Sequence, residues 1–387
     1  MKIIEVTNPA LENKFIEVNV RLYAGDPNYI RPLDRDILEI FDQKKNKMLN
    51  AGRARRWIIK DDTLGYIGRI AAFIHPYYTN KGDTVKVGGI GFFDCINNQG
   101  AANLLFDTAK QWLTEMGAEA MDGPINFGER DKWWGLLIEG FAPPLYGMNY
   151  NAPYYRELFQ QYGFQTFYNQ LCWHLRVDER LPEKFYTTHQ KFVGNADIHA
   201  ERVDKKNLEK YAKDFASIYN KAWAKHEGNK SISPGKAGHI FKKLKPILDQ
   251  DIMWFTYYKD EPIAVWLNIP DLNEIFKDFN GKFNILMKLK LLWQRYTGKC
   301  KKFVGIVYGI IPEWQGSGVD YYMIVEAAKI IQAKKQYREL ELQWQGDFNP
   351  KMIAISKNLG CSLSRKLATF RYLFDQGKEF KRHPVLN

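Results

Sequence analysis

Cysteine is scarce in this 387-residue chain, and the four present (Cys95, Cys172, Cys300 and Cys361) lie far apart with no C-x-x-C pair. That spacing argues against both a disulfide framework and a thiolate zinc site, leaving the four as small buried hydrophobes. Histidine is sparse too: seven residues, dispersed, with no H-E-x-x-H, so no metal centre is expected. No stretch approaches the roughly 20 apolar residues of a membrane span, and the opening Met1-Lys2-Ile3-Ile4-Glu5-Val6 reads as a short strand rather than a leader. These absences lead to the expectation of a cytoplasmic protein with no membrane partner. A period of roughly 20–50 residues is also missing, which excludes a solenoid.

What is there is ordinary in bulk: 45% hydrophobic and 26% charged residues. The length suggests two domains of roughly 150–200 residues. The net charge of +12 comes partly from lysines in stretches such as Phe241-Lys242-Lys243-Leu244-Lys245 and Met287-Lys288-Leu289-Lys290, which read as solvated faces of amphipathic helices. Attraction of an anionic cofactor or a tRNA is the alternative use of that charge.

The most informative run is Ile306-Val307-Tyr308-Gly309-Ile310-Ile311-Pro312-Glu313-Trp314-Gln315-Gly316-Ser317-Gly318-Val319-Asp320-Tyr321-Tyr322-Met323, which reads as strand, glycine turn and helix. Gly316 and Gly318 strip side chains from the turn, so backbone N–H groups can converge on an anion at a helix N-terminus. A plain connector has the same look, and the glycines alone do not choose.

Upstream, Ile3 to Val6 reads as a strand, Leu11 to Tyr23 and Asp34 to Leu49 as helices, and Arg56 to Ile59 with Gly65 to Ile74 as paired strands. Then come a strand from Val85 to Ile96, Gln99-Gly100 with Asn97-Asn98 as a possible cap, a helix from Asn103 to Met116 and a strand from Glu119 to Gly123. A long glycine- and aromatic-rich stretch from Pro124 to Tyr150 precedes an Asn151-led helix, Gly163-Phe164 and a strand from Gln170 to Val177. Leu181-Pro182 to Gly194 reads as a linker. The second half repeats the order: a strand (Ile198 to Val203), helices (Leu208 to Ala224, Pro234 to Leu248), a hairpin (Met253 to Tyr258, Ile263 to Ile269) and an inserted helix (Phe283 to Tyr296). The glycine run follows, then a helix (Tyr322 to Ala333), a strand (Glu339 to Gln343), an Asn349-led helix, Gly360-Cys361 and a closing strand. This is a domain duplication.

Gln315-Gly316-Ser317-Gly318 between a strand and a helix, followed by an Asn-led helix, resembles the pyrophosphate loop of the GNAT N-acetyltransferase superfamily, and the element order extends the resemblance over nearly the whole chain. It implies an α/β fold with a mixed sheet, as two GNAT-like domains in tandem: 1–180, degenerate in its phosphate loop, and 195–387. It further implies acetyl-CoA or another acyl-CoA as co-substrate, no metal, and a small-molecule or peptide amine as acceptor, attacking the thioester directly. On that pattern Gln315, Gly316, Ser317, Gly318 and Val319 hold the diphosphate, while Val307, Gly309 and Ile310 pair with the pantetheine arm. Glu341 and Glu313 are the candidate bases, Tyr308 and Ser356 the candidate thiolate donors, and Trp344, Asp347 and Asn349 line the acceptor side. Asn349 before Pro350 equally suits a helix cap. Asp320 and Ser356 depart from the family pattern; Asp320 is expected to turn away from the loop as a helix-start acid. A Fem-like aminoacyl-tRNA-dependent peptidyltransferase and a non-catalytic ligand-binding protein are the competing readings.

Overall fold

The computed structural model describes residues 1–128, 130–222 and 231–386, apart from the side chains of Arg295 and Tyr296. The first half runs β1 (Lys2–Glu5), α1 (Pro9–Leu22), α2 (Asp34–Phe41), β2 (Arg53–Asp61), β3 (Gly65–Ile74), β4 (Val87–Cys95), α3 (Gln99–Glu115), β5 (Ala120–Gly123), β6 (Leu136–Glu139), α4 (Tyr155–Tyr162) and β7 (Gln165–Arg176). A helix α5 (Glu183–His189) occupies the expected linker. The second half runs β8 (Ile198–Arg202), α6 (Leu208–Ala222), α7 (Pro234–Leu244), β9 (Met253–Tyr258), β10 (Glu261–Pro270), α8 (Asn273–Phe276), α9 (Ile285–Tyr296), β11 (Lys302–Ile310), α10 (Val319–Lys334), β12 (Glu339–Gly346), α11 (Pro350–Asn358) and β13 (Ser362–Leu373). The end of the helix expected over Leu208 to Ala224 lies outside the described residues.

Local chemistry accounts for most of these boundaries. Asn8 and Ser233 each cap a helix that begins with proline, where a missing N–H costs nothing. Asn98 caps α3 by accepting from the Ala101 N–H, so that helix starts at Gln99, before the expected Asn103. Gly163, at φ 107°, ends α4 in the left-handed conformation that glycine adopts without strain.

The strands form one mixed sheet in the order β1-β2-β3-β4-β5-β13-β7-β12-β11-β10-β9-β8, with β6 pairing on β13. Each half contributes an antiparallel meander ending in one parallel pair, β4 with β5 and β11 with β12. Two tandem domains imply one central sheet each; here a single sheet runs through both halves. The final strands are exchanged: β7, from the first half, lies beside β12, whereas β13, from the second, lies beside β5, and the two pair with each other at the seam. Two buried ion pairs fix the register of β13. Arg365 reaches Glu341 on β12 at 2.6 and 3.0 Å, and Arg371 reaches Asp122 on β5 at 2.6 and 2.9 Å.

Separate apolar cores fill the two halves, one around Phe255, Phe303 and Met323, the other around Phe93, Phe106 and Phe159. A smaller cluster joins Leu33 of the first half to Leu272, Phe276 and Leu291 of the inserted α8–α9 segment.

Candidate active site

The parallel ladder between β11 and β12 stops at Gly305 and Leu342, although β11 continues to Ile310 and β12 to Gly346. The strands part there, and among the described residues no strand pairs with the β12-facing edge of Ile306–Ile310, β10 holding the other edge. Into this opening runs a cavity of about 310 Å³ between α10 and α11. Its wall is mainly apolar: Leu340 and Leu342 from β12, Ile324 and Ile331 from α10, and Leu359 and Leu175. Arg130 and Asp131, from the long stretch of the first half, also line it, with Gln332, Gln343 and Gln345.

Beyond the end of β11, Gly316 (φ 77°) and Gly318 (φ 88°) carry the turn into α10; none of Gln315 to Val319 is in the cavity lining. The N-cap Gly318 has no side chain to cap this helix in the manner of Asn98, so its first-turn N–H groups beyond Val319 stay available to an anion. Ser317 Oγ donates to the Trp314 carbonyl at 2.7 Å and accepts from the Val319 N–H at 3.2 Å, which braces the turn. A side chain at Gly316 would meet open space, whereas a Cβ at Gly318 would run into the Thr188 methyl of α5. Gly318 therefore also serves packing, a role the sequence did not reveal.

The equivalent opening in the first half is closed. The Ile125 N–H donates to the Ile90 carbonyl at 2.7 Å, occupying the β4 edge, and Gly91 lies so close to the Ile125 carbonyl that no Cβ would fit. Phe127 stacks on Phe73 at 5.4 Å behind it.

The residues expected to act divide sharply. Val307, Tyr308, Trp344 and Ser356 line the cavity. Gly309 and Ile310 continue the same strand, paired with Val265 and Ala264, and the Gln315 amide donates to the Ile310 carbonyl at 3.2 Å. Glu341 does not face the cavity: because Leu340 and Leu342 point into it, strand alternation sends Glu341 to the opposite face. There it is 1% exposed, held by both nitrogens of the Arg365 fork, with Ser364 Oγ at 3.0 Å and Lys302 at 3.5 Å. A carboxylate so engaged is a structural anion rather than a base. Glu313 is solvent-exposed outside the cavity lining. Asp347 accepts from Asn169 at 2.8 Å and Arg382 at 2.6 Å, and Asn349 caps α11 through the Met352 N–H, so neither lines the cavity.

Tyr308 is in the wall, but its hydroxyl donates to Asp320 at 2.8 Å. Burial, with the adjacent Asp320 charge, holds the phenol well above its ordinary range, which makes it a poor proton donor to a thiolate. Asp320 stands in the first turn of α10, and its carboxylate turns onto Tyr308 of β11. Ser356, fully buried, accepts from Gln345 Nε2 at 2.8 Å, while Gln345 Oε1 is buried without a hydrogen-bond partner among the described residues. Sequence reasoning missed Gln345, Asp131 and the apolar wall. An orphaned buried acceptor beside an open strand edge suits an extended ligand carrying amide N–H groups. No cluster of potential metal ligands occurs among the described residues.

No family model matches the chain. In sequence it is similar to the bacterial ceramide synthase of Caulobacter vibrioides (strain NA1000 / CB15N), 23% identical over 365 residues covering 93% of this chain and 94% of that one. It is also similar to protein YghO of Escherichia coli (strain K12), 25% identical over 359 residues covering 89% and 88%. In structure it matches a tandem GNAT protein from the clavulanic acid biosynthesis pathway, with a TM-score of 0.55 at 8% identity over 97% of this chain and 99% of that one. A GCN5-related N-acetyltransferase from Sphaerobacter thermophilus gives 0.50 at 11% identity over 98% of each chain.

Proposed function

We propose that this chain, which has the GNAT acyltransferase fold in tandem, transfers a long acyl chain from an acyl-CoA to an amine, using its second half. The observation that carries this reading is the apolar cavity at the parting of β11 and β12. At about 310 Å³ it reaches the small-molecule range and far exceeds what a two-carbon acyl group fills. Similarity along nearly the whole chain to a protein named ceramide synthase, a name that denotes amide formation on a lipid amine, supports the same chemistry.

In this reading the thioester carbonyl lies at the parting: the ammonium first gives one proton to solvent, the neutral amine nitrogen then forms the new C–N bond as the C–S bond breaks, and the second proton that this nitrogen sheds balances the one the thiolate takes up. The N–H groups of Gly316 and Gly318, with the open first turn of α10, receive the diphosphate, those of Ser317 and Val319 being spent on bracing the turn. The free edge of Val307 to Ile310 pairs with the pantetheine amides, and Gln345 Oε1 accepts from one of them. Ser356, oriented by Gln345, gives the leaving sulfur a hydrogen bond rather than its proton, an alkyl hydroxyl being a weaker acid than a phenol. Asp131, a carboxylate in the lining, meets the acceptor ammonium. An apolar wall offers the polar ester of an aminoacyl-tRNA little, which weighs against the peptidyltransferase alternative.

Steady-state rates with acyl-CoA donors of increasing length test this. Burying a methylene is worth about 0.8 kcal/mol, so kcat/KM should climb by up to about fourfold per added carbon until the cavity is full. A flat profile, or a preference for acetyl-CoA, would refute the long-chain assignment. Ser356→Ala should lower kcat by about 100-fold with little change in acyl-CoA affinity.

A further inference from the structure

The lysine-bearing stretch that reads as a solvated face behaves differently in the fold. Five large apolar side chains of α9 (Ile285, Leu286, Leu289, Leu292 and Trp293) are between 53% and 74% exposed. At about 100° per residue they occupy one arc of about 120°. The opposite face, with Leu291 and Gln294 buried, packs on the Leu33–Phe276 cluster. Lys288 and Lys290 fall at the two borders between these faces, about 40° beyond either edge of the apolar arc. Lys282 and Lys299 flank the helix at its ends and are exposed, and the Lys299 ammonium lies 4.5 Å from the Trp293 ring centre.

We propose that α9 docks the protein on an anionic lipid bilayer, lying in the interface plane with the apolar arc among the acyl chains and the lysines at headgroup level. The helix is too short and too charged to cross a membrane, and no helix among the described residues qualifies as a span. An amphipathic helix with basic borders and an outward tryptophan has the composition of an interfacial helix. Lysine stems can lie along apolar surface while their ammonium groups reach headgroup level, which suits Lys288, Lys282 and Lys299; the Lys290 ammonium lies 3.3 Å from Asp278. Charge decides against a second copy of this chain as the occupant, because two such faces in contact would bring their lysine rows together, whereas anionic headgroups attract them. The inference does not depend on the reading of the cavity.

Flotation of the full chain with phosphatidylcholine vesicles containing about 30 mol% phosphatidylglycerol tests it, with pure phosphatidylcholine vesicles as the comparison. The protein should float with the acidic vesicles, less with the neutral ones, and less as salt rises. Leu289→Ser with Trp293→Ser should reduce partitioning at least about tenfold. These side chains lie mostly in solvent, so the thermal midpoint should stay unchanged. Failure of the native protein to float, or undiminished flotation of the double variant, would overturn the proposal. So would a native dimer that the double variant dissolves without any vesicle binding, since the face would then join copies of the chain. No acyl-CoA enters the assay, so its outcome is separate from that of the rate measurements.

Discussion

Glu341 shows how a residue's role depends on a neighbour far away in the chain. As a carboxylate on the strand after the glycine loop it resembles a base, yet its partner Arg365 arrives 24 residues later on the exchanged strand. Removing one member of a buried pair leaves the other charge stranded, so Glu341→Gln should cost about 3–5 kcal/mol in urea unfolding. The rate per folded molecule should persist; a specific loss of kcat with stability intact would restore the base assignment. Asp271 gives a different signal. Burial raises its carboxyl from 3.8 to about 7, with Glu274 and Glu341 adding to the rise and Lys302 opposing it. A raised folded value means stability that is present below pH ~4 and lost as pH climbs through about 7, of order 4 kcal/mol in full. Asp271→Asn, which mimics the protonated acid, should flatten that slope in unfolding measurements between those limits.

At the scale of elements, legibility followed sequence distance. The strand–loop–helix from β11 to α10 was readable because glycine, strand alternation and helix onset are local signals within a few residues. The cavity was not, since its wall joins Leu175 of β7, Ile324 of α10, Leu342 of β12 and Leu359 beyond α11 with Asp131 of the first half. Only packing makes those residues neighbours. The same limit applies to Gly318, whose contact with Thr188 comes from a segment that reads as a bare linker. Gly318→Val should therefore lower the thermal midpoint even without ligand, because a β-branched residue resists φ 88° and meets Thr188. Gly316→Ala meets no atoms and should show only the smaller cost of its positive φ. Equal midpoints for the two variants would remove the packing role.

For the molecule as a whole, the duplicated order was visible in the sequence, but the exchange of β7 and β13 was not. Strand order along the chain is identical whether each half keeps its last strand or gives it away. The consequence is mutual dependence: residues 1–194 lack β13 beside β5, and residues 195–387 lack β7 beside β12. Each half expressed alone should remain aggregation-prone, and co-expression should recover a soluble pair. Cooperative folding of either half by itself would contradict this.

Synthesis adds an element of time to that exchange. The ribosome completes β5 some 240 residues before it begins β13. At roughly 5–20 residues per second, the edge of β5 waits about 12–48 s for the strand that closes it. Throughout that interval the growing chain carries an unfinished sheet, open to any passing strand, and its escape from misassembly rests on the last strand to leave the ribosome.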